Sequence, residues 1–402
     1  MDPTTATLPG TALALIHTGE APTRSALTAK LGVTRATTGA IAGELRDLRL
    51  IEVTAASGVG HHGRPSHRLL PAPDGPVALA AEIHPYGFSV ALIGLGAATV
   101  ARVSRDLPVP ADPERALAPV SEAAAALLRA SGRRCVGVAM AVAFAVTEPG
   151  GAAVGALYFG WPDGVPVSDI FAAQLARHGV TGPTGEPLAC RAINDVNAVA
   201  LAEHRHGAGR GAAHLLVVAA TRRGVGSALV LRGALYTGSS GLAMEAGHVS
   251  IDTHGRPCPC GSRGCLNVET DAGRFLDEAG RVPDPGSAPL DAAIAVLTGG
   301  YATDPRVRAA AGTIVGRLGL GLASLVNVVN PDRVLLGGLH KQLLLAAPDE
   351  LRDAVAARSP WDRGAAVPIS PCALDDDAAL IGAAELAWQP VLDNPAILRA
   401  PA

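Results

Sequence analysis

The sequence predicts an α/β protein: a small basic helical module at the amino end, then a body in which one strand-and-helix cycle occurs twice. Three observations lead there. Residues 10–56 carry apolar side chains at helical spacing. From Val77 onward, strand-like runs alternate with Ala-rich helical runs, and the cycle that begins there has a counterpart beginning near residue 212. At 402 residues the chain holds two to three domains of about 150 residues each. A duplicated α/β body of this kind closes around a cleft between its halves.

Composition excludes several classes. Hydrophobic residues at 49% against 17% charged rule out a disordered chain. Aromatics at 3% mean that the core is built from Ala, Val, Leu and Ile, and 47 Gly with 31 Pro favour a loop-rich α/β fold over a helical bundle. No uninterrupted apolar stretch reaches ~18 residues, which argues against a membrane span. The start Met1-Asp2-Pro3-Thr4-Thr5 lacks the basic segment of a secretory signal, so the expectation is a soluble, cytoplasmic protein. The formal net charge is −3, but residues 21–70 carry seven Arg or Lys and three acids. A basic module on an acidic body suggests that the module alone meets a polyanion.

Taken in order, the module reads as helices over residues 10–17, 23–31 and about 35–48. Gly32 supplies the turn between the second and third, and Thr34 is placed to cap the third. Two helices joined by a short Gly-containing turn form a helix-turn-helix pattern. Strands over residues 50–53 and 67–70 flank a Gly-rich tip ending in Gly63-Arg64-Pro65, which makes the module a winged helix-turn-helix spanning 1–76. Thr34, Arg35, Thr37 and Thr38 in the first turns of the third helix suit the base edges and phosphates of double-stranded DNA, and Arg64 in the wing suits a minor groove or phosphate.

The first lobe, residues 77–196, begins with strands over 77–83 and 88–94 around Pro85-Tyr86-Gly87. A strand over 98–107, a helix over 113–131 and a buried strand over 134–146 follow. The second lobe, 197–375, repeats strands over 215–220, 227–231 and 234–237, then a long helix over 305–326. A last helix over 376–388, within the tail 376–402, returns to complete the first lobe.

The strongest chemical signal is Gly247-His248 followed by Cys258-Pro259-Cys260-Gly261-Ser262-Arg263-Gly264-Cys265 within loop 248–265. One imidazole and three thiolates complete a tetrahedral set for structural zinc, with no open catalytic position. On spacing alone His254 could replace His248. Cys135, Cys190 and Cys372 stand alone in apolar surroundings and read as small core residues. Asn194-Asp195 follows a short strand. An Asp there can take a proton from a hydroxyl that the Asn fixes, and Glu245 adds a carboxylate beside the metal loop.

Together these segments resemble the repressor/open-reading-frame/kinase (ROK) family, in particular its transcriptional regulators. The likeness runs through Gly63-Arg64-Pro65, Thr147-Glu148-Pro149-Gly150, Gly160-Trp161, residues 193–198, Glu245 with Gly247-His248, the cysteine loop, and Asn330-Pro331 to Gly337-Gly338. The resemblance implies an actin-like, ribonuclease-H-like duplicated fold, a carbohydrate in the cleft, and a homodimer or tetramer. In the family's kinases the residue matching Asp195 is the general base, and those matching Asn194, Glu245 and His248 hold sugar hydroxyls. The kinases place Asp-x-Gly-Gly-Thr in the first hairpin, where this chain has Ala81-Glu82-Ile83-His84-Pro85-Tyr86-Gly87. Arg223 replaces a small hydroxyl residue in the second phosphate turn, Asn267 a common Glu, and Tyr158 a common Asn. The implied function is a sugar-responsive regulator, most readily a repressor on an inverted repeat. Its kinase activity would be lost and Asp195 vestigial; the alternative is an ATP-dependent sugar kinase with a DNA-binding head.

Overall fold

The computed structural model describes residues 6–55, 66–106, 110–148, 150–182, 185–222, 224–282, 288–360 and 363–399. Three helices open the chain: α1 (Leu8–His17), α2 (Arg24–Leu31) and α3 (Arg35–Asp47). Each starts on a threonine whose hydroxyl accepts a backbone N–H of the first turn: Thr7 from Gly10, Thr23 from Ala26 and Thr34 from Thr37. Strands β1 (Ile51–Thr54) and β2 (Arg68–Pro71) then pair antiparallel. The tip between them, which carries Arg64, lies outside the described residues.

The first lobe contains β3 (Val77–His84), β4 (Gly87–Gly94), β5 (Thr99–Asp106), α4 (Pro113–Ser131) and β6 (Cys135–Val142). It continues with the short pair β7 (Ala145–Val146) and β8 (Ala153–Val154), then α5 (Val167–Arg177) and β9 (Cys190–Asn194). Helix α6 (Asp195–His206) crosses to the second lobe, where β10 (His214–Ala220), β11 (Val225–Leu231) and β12 (Ala234–Leu235) form a meander. Helices α7 (Leu266–Glu269), α8 (Ala272–Glu278), α9 (Pro289–Gly300) and α10 (Pro305–Val329) precede β13 (Arg333–Gly337). The remainder is α11 (Gly338–Ala346), α12 (Pro348–Ala356), α13 (Arg363–Ala366), β14 (Ile369–Pro371) and α14 (Ala378–Asp393).

The two sheets have one topology. The first is ordered β5-β4-β3-β6-β9 and the second β12-β11-β10-β13-β14. In each, the leading three strands are antiparallel and the last two join in parallel. The repeat seen in the sequence is therefore a repeat of fold. The single buried strand expected over 134–146 stops at Val142, and Ala143-Phe144 leave the sheet to line the cleft before β7 resumes. Helix α10 is long and apolar enough to cross a membrane by length and composition, although its apolar run is broken. Its apolar face instead packs in the second lobe's core, with Val307, Ile314, Leu318, Leu322 and Val326 buried. Cys135, Cys190 and Cys372 are buried, as their surroundings suggested.

Helix α14 holds the assembly together. It lies on β3, β6 and α6, and its Trp388 indole donates to the Ile93 carbonyl at 3.0 Å. Three glycines permit backbone contact along it: a Cβ at Gly382 would overlap the Ala198 carbonyl of α6, one at Gly137 of β6 the Ala387 carbonyl, and one at Gly10 of α1 the Asp393 carbonyl. Leu13, Ile16, Leu27, Leu45 and Leu50 of the amino-terminal module share one hydrophobic cluster with Ala383, Trp388 and Val391 of α14. The module thus has no core separate from the body.

Candidate functional site

The lobes meet over two connected cavities, and Asp195 borders both. The chain reaches it because β9 ends at Asn194 in the cleft and α6 starts on the next residue. Asn194 caps that helix: its Oδ1 accepts from Val196 N at 3.0 Å and Asn197 N at 3.1 Å, and its Nδ2 donates to the Phe144 carbonyl at 3.3 Å. Its carbonyl oxygen is therefore already taken, and what it offers a ligand is an amide hydrogen. Asp195 is desolvated and faces the negative charges of Glu82 and Glu245, which together raise its carboxyl to about 7.

One cavity, of about 380 Å³, is lined by Asn194, Asp195, Glu245, His248, Asn267 and Tyr158. The four carbohydrate-binding residues expected from the sequence are thus brought to one place. Two carboxylates and an imidazole lining the same cavity as Phe144 and Leu157 suit a polyhydroxylated ring. Asn267 is committed elsewhere: its Oδ1 accepts the Val225 N–H at 2.7 Å, and its Nδ2 lies 3.9 Å from Cys258 Sγ.

The second cavity, of about 220 Å³, is lined by Glu82, His84, Arg102, Arg222, Gly338 and Lys341. Its hairpin turn offers few free amides. His84 pairs with Gly87 across Pro85-Tyr86. Pro85 has no N–H, and the Tyr86 N–H donates to His84 Nδ1 at 3.3 Å. Burial, then the Arg222 charge, lower His84 to about 4, so its ring is neutral and can accept that bond. In the second turn, the Thr221 N–H donates to the Gly224 carbonyl and Val225 to Asn267. Arg223 lies outside the described residues. The cations have acidic partners: Arg102 with Asp377, Arg222 with Asp291, and Lys341 with Asp375.

Glu82 has no role in the sequence reading, which notes only that its stretch lacks the Asp, the double Gly and the Thr. Strand alternation was the available signal: Leu79, Ala81 and Ile83 face the α4 side, so Glu82 faces the cleft. Desolvation raises its carboxyl above the usual range.

Beside the larger cavity, Nδ1 or Nε2 of His248 and the sulfurs of Cys258, Cys260 and Cys265 lie within 4.8 Å of one another. Cys258 Sγ is 3.6 Å from His248 Nδ1, and Cys260 Sγ is 3.8 Å from Cys265 Sγ. A tetrahedral zinc with Zn–S of about 2.3 Å and Zn–N of about 2.0 Å requires S···S near 3.8 Å and N···S near 3.6 Å. The donor set fits that ion. His254 instead turns its Nδ1 to Thr253 Oγ1 at 3.1 Å.

On the amino-terminal module, Thr34 and Arg35 are exposed and Thr37 is half-buried at the start of α3. Thr38 is a correction to the sequence reading. It is fully buried, accepts from Thr28 Oγ1 at 3.0 Å and donates to the Thr34 carbonyl at 3.2 Å, so it locks α3 to α2 and meets no groove. One helical position separates it from Thr37, enough to turn it inward.

A sequence model of the ROK family matches residues 87–389. A glucokinase of Halalkalibacterium halodurans is 33% identical over 156 residues, 36% of this chain and 47% of that protein. The xylose repressor of Bacillus subtilis is 25% identical over 200 residues, half of each. The chain spans about half the length of the curated relatives it matches. Among solved structures, a ROK-family transcriptional regulator homologous to the Escherichia coli MLC protein superposes with a TM-score of 0.73 at 20% identity. That alignment covers 96% of this chain and 95% of the other. A ROK glucokinase from Streptomyces griseus, solved with glucose and AMPPNP, gives 0.62 at 20% identity over 78% and 99%. The shared architecture is the α/β, actin-type sugar-kinase fold with mixed sheets.

Proposed function

The chain belongs to the ROK family, and from that premise we propose that it is a sugar-responsive, DNA-binding transcriptional repressor whose kinase chemistry is lost. The observation that carries the reading is the β3–β4 turn. Pro85 and the His84-bound Tyr86 amide remove the donors that would cradle a transferring phosphate, while the cavity at Asn194, Asp195, Glu245 and His248 keeps its polar lining. Phosphoryl transfer depends on positioning and charge neutralisation, so a cleft without that cradle binds without turning over. Relatives on both sides of the choice exist, sugar repressors and glucokinases.

In this reading residues 1–76 are a winged helix-turn-helix. The α3 residues Thr34, Arg35 and Thr37 enter a major groove, and Arg64 in the wing contacts the neighbouring minor groove or backbone. The body divides at 77–196 with 376–402 and at 197–375. A homodimer presents two such heads to an inverted repeat in the cytoplasm. Carbohydrate in the cleft weakens the operator complex by the 1–3 kcal/mol typical of such coupling, roughly 5- to 150-fold. His248, Cys258, Cys260 and Cys265 hold a structural zinc that fixes the loop carrying His248 against the sugar cavity.

The kinase reading draws on Asp195, whose carboxyl near 7 suits a general base. One pair of measurements decides. Purified protein is titrated onto DNA from its own promoter region with and without glucose, xylose and N-acetylglucosamine, and ADP release is followed on the same sugars. Sugar-sensitive DNA binding without ADP release supports the repressor; sugar-dependent ADP release refutes it.

A further inference from the structure

A second polar cluster sits where the amino-terminal module meets the body. Glu385 of α14 is buried, and three side chains converge on its carboxylate. His17, the last residue of α1, places Nε2 2.8 Å from Oε1, and His206, the last residue of α6, places its Nε2 2.8 Å from the same oxygen. Arg205 pairs with Oε2 and donates to Gln389 Oε1 at 2.9 Å. Burial alone would raise the Glu385 carboxyl, but His17, Arg205 and His206 outweigh it and hold it well below its usual value.

Two imidazoles and a carboxylate could be taken for a metal site. The tautomer argues otherwise. The Gly96 N–H donates to His17 Nδ1 at 2.8 Å, so the proton of the neutral ring is on Nε2, the atom a metal would need. Arg205 places a positive charge on the same carboxylate. The cluster is a hydrogen-bonded knot of module, α6 and α14.

Helix α6 gives the knot a second end. It begins with Asp195 in the cleft and finishes with Arg205 and His206 on Glu385, a rod of about 18 Å for its twelve residues. One turn in, its Ala198 carbonyl rests against Gly382 of α14 with no room for a methyl group, so the two helices are held in register. We propose that α6 is the relay between cleft and DNA-binding module: a change at Asp195 moves the far end of the helix, and the Glu385 knot passes that movement to His17 and α1. The proposal rests on the regulator reading for its purpose, while the mechanical link stands or falls without any sugar. A polar network centred on a buried carboxylate suits this role because small displacements break its bonds instead of stretching them.

The test is a double-mutant cycle on the full chain, read by hydrogen exchange in residues 8–17, with residues 135–142 as an internal control. Asp195→Asn is the stimulus and His206→Ala cuts the relay. Asp195→Asn is expected to change exchange in 8–17 by roughly threefold or more, and to have little effect there once His206→Ala is present. His206→Gln, which keeps an N–H donor toward Glu385, should restore the response. An Asp195→Asn effect of equal size in both backgrounds, or none on 8–17, overturns the relay. Thermal shifts with glucose, xylose and N-acetylglucosamine on the same samples report separately on the sugar-binding reading, so the two can fail independently.

Discussion

Replacing Asp195 by Asn removes a carboxyl that the fold ionises only at a cost. Its value rises from 3.8 to about 7 on folding, through desolvation first and then through Glu82 and Glu245. The folded state therefore binds this proton more tightly than the unfolded chain. The stabilisation is complete below pH 4 and disappears as the pH rises through 7. Three units at about 1.36 kcal/mol each set a ceiling of about 4 kcal/mol. Two terms reduce it: Glu82 is raised as well, so the carboxylates titrate as a set, and a negative charge at the first residue of α6 regains roughly 0.3–1 kcal/mol from the helix dipole. A net of about 2 kcal/mol remains, worth roughly 2–6 °C in melting temperature. Scanning calorimetry of wild type and Asp195→Asn at pH 8.5 and pH 4 reads it directly. The variant should melt higher at pH 8.5 and together with wild type at pH 4. Equal gains at both pH values, or a loss at pH 8.5, would refute the electrostatic account of the cleft.

Four further outcomes follow from geometry. Cys260 is exposed, so Cys260→Ser perturbs no packing, yet it should abolish stoichiometric zinc measured by elemental analysis; full zinc content in the variant would exclude the four-ligand site. Arg35→Ala should weaken DNA binding by roughly tenfold and lower the salt slope by about 1 if it meets phosphate, whereas Thr38→Val should cost about 1–2 kcal/mol of stability by breaking the Thr28–Thr38–Thr34 bonds. Gly382→Ala should destabilise the protein by about 3 kcal/mol or more, because its methyl must displace the Ala198 carbonyl, and an unchanged unfolding midpoint would rule out that contact.

What could be read from the sequence was local. Thr34 capping α3, Pro113 opening α4, and the His248-to-Cys265 loop are each signalled within a few residues of where they act. The duplication was visible because both sheets repeat one order of strands. Features made by distant residues were not legible. His17 and Glu385 are separated by 368 positions, and each taken alone reads as an ordinary core or surface residue. Thr38 was misassigned because a hydroxyl at the start of a recognition helix suits DNA, although its spacing to Ile41, Ala42 and Leu45 already places it on the buried face of α3.

The departures from the kinase pattern also prove to be connected. Asn267 stands where a Glu is common, and taken singly it reads as a weaker sugar contact. In the fold its Oδ1 accepts the Val225 N–H at 2.7 Å. The same residue lies against Cys258, so the metal loop, the second phosphate turn and the sugar cavity share one side chain. A change there removes a charge from the carbohydrate wall and ties down a donor of the nucleotide turn together. Pro85 and the His84–Tyr86 bond leave neither central residue of the β3–β4 turn with a free amide, and in the second turn the Thr221 and Val225 amides are bonded to Gly224 and Asn267. On the proposed reading, no single substitution at Pro85, Tyr86 or Asn267 should therefore produce ADP release.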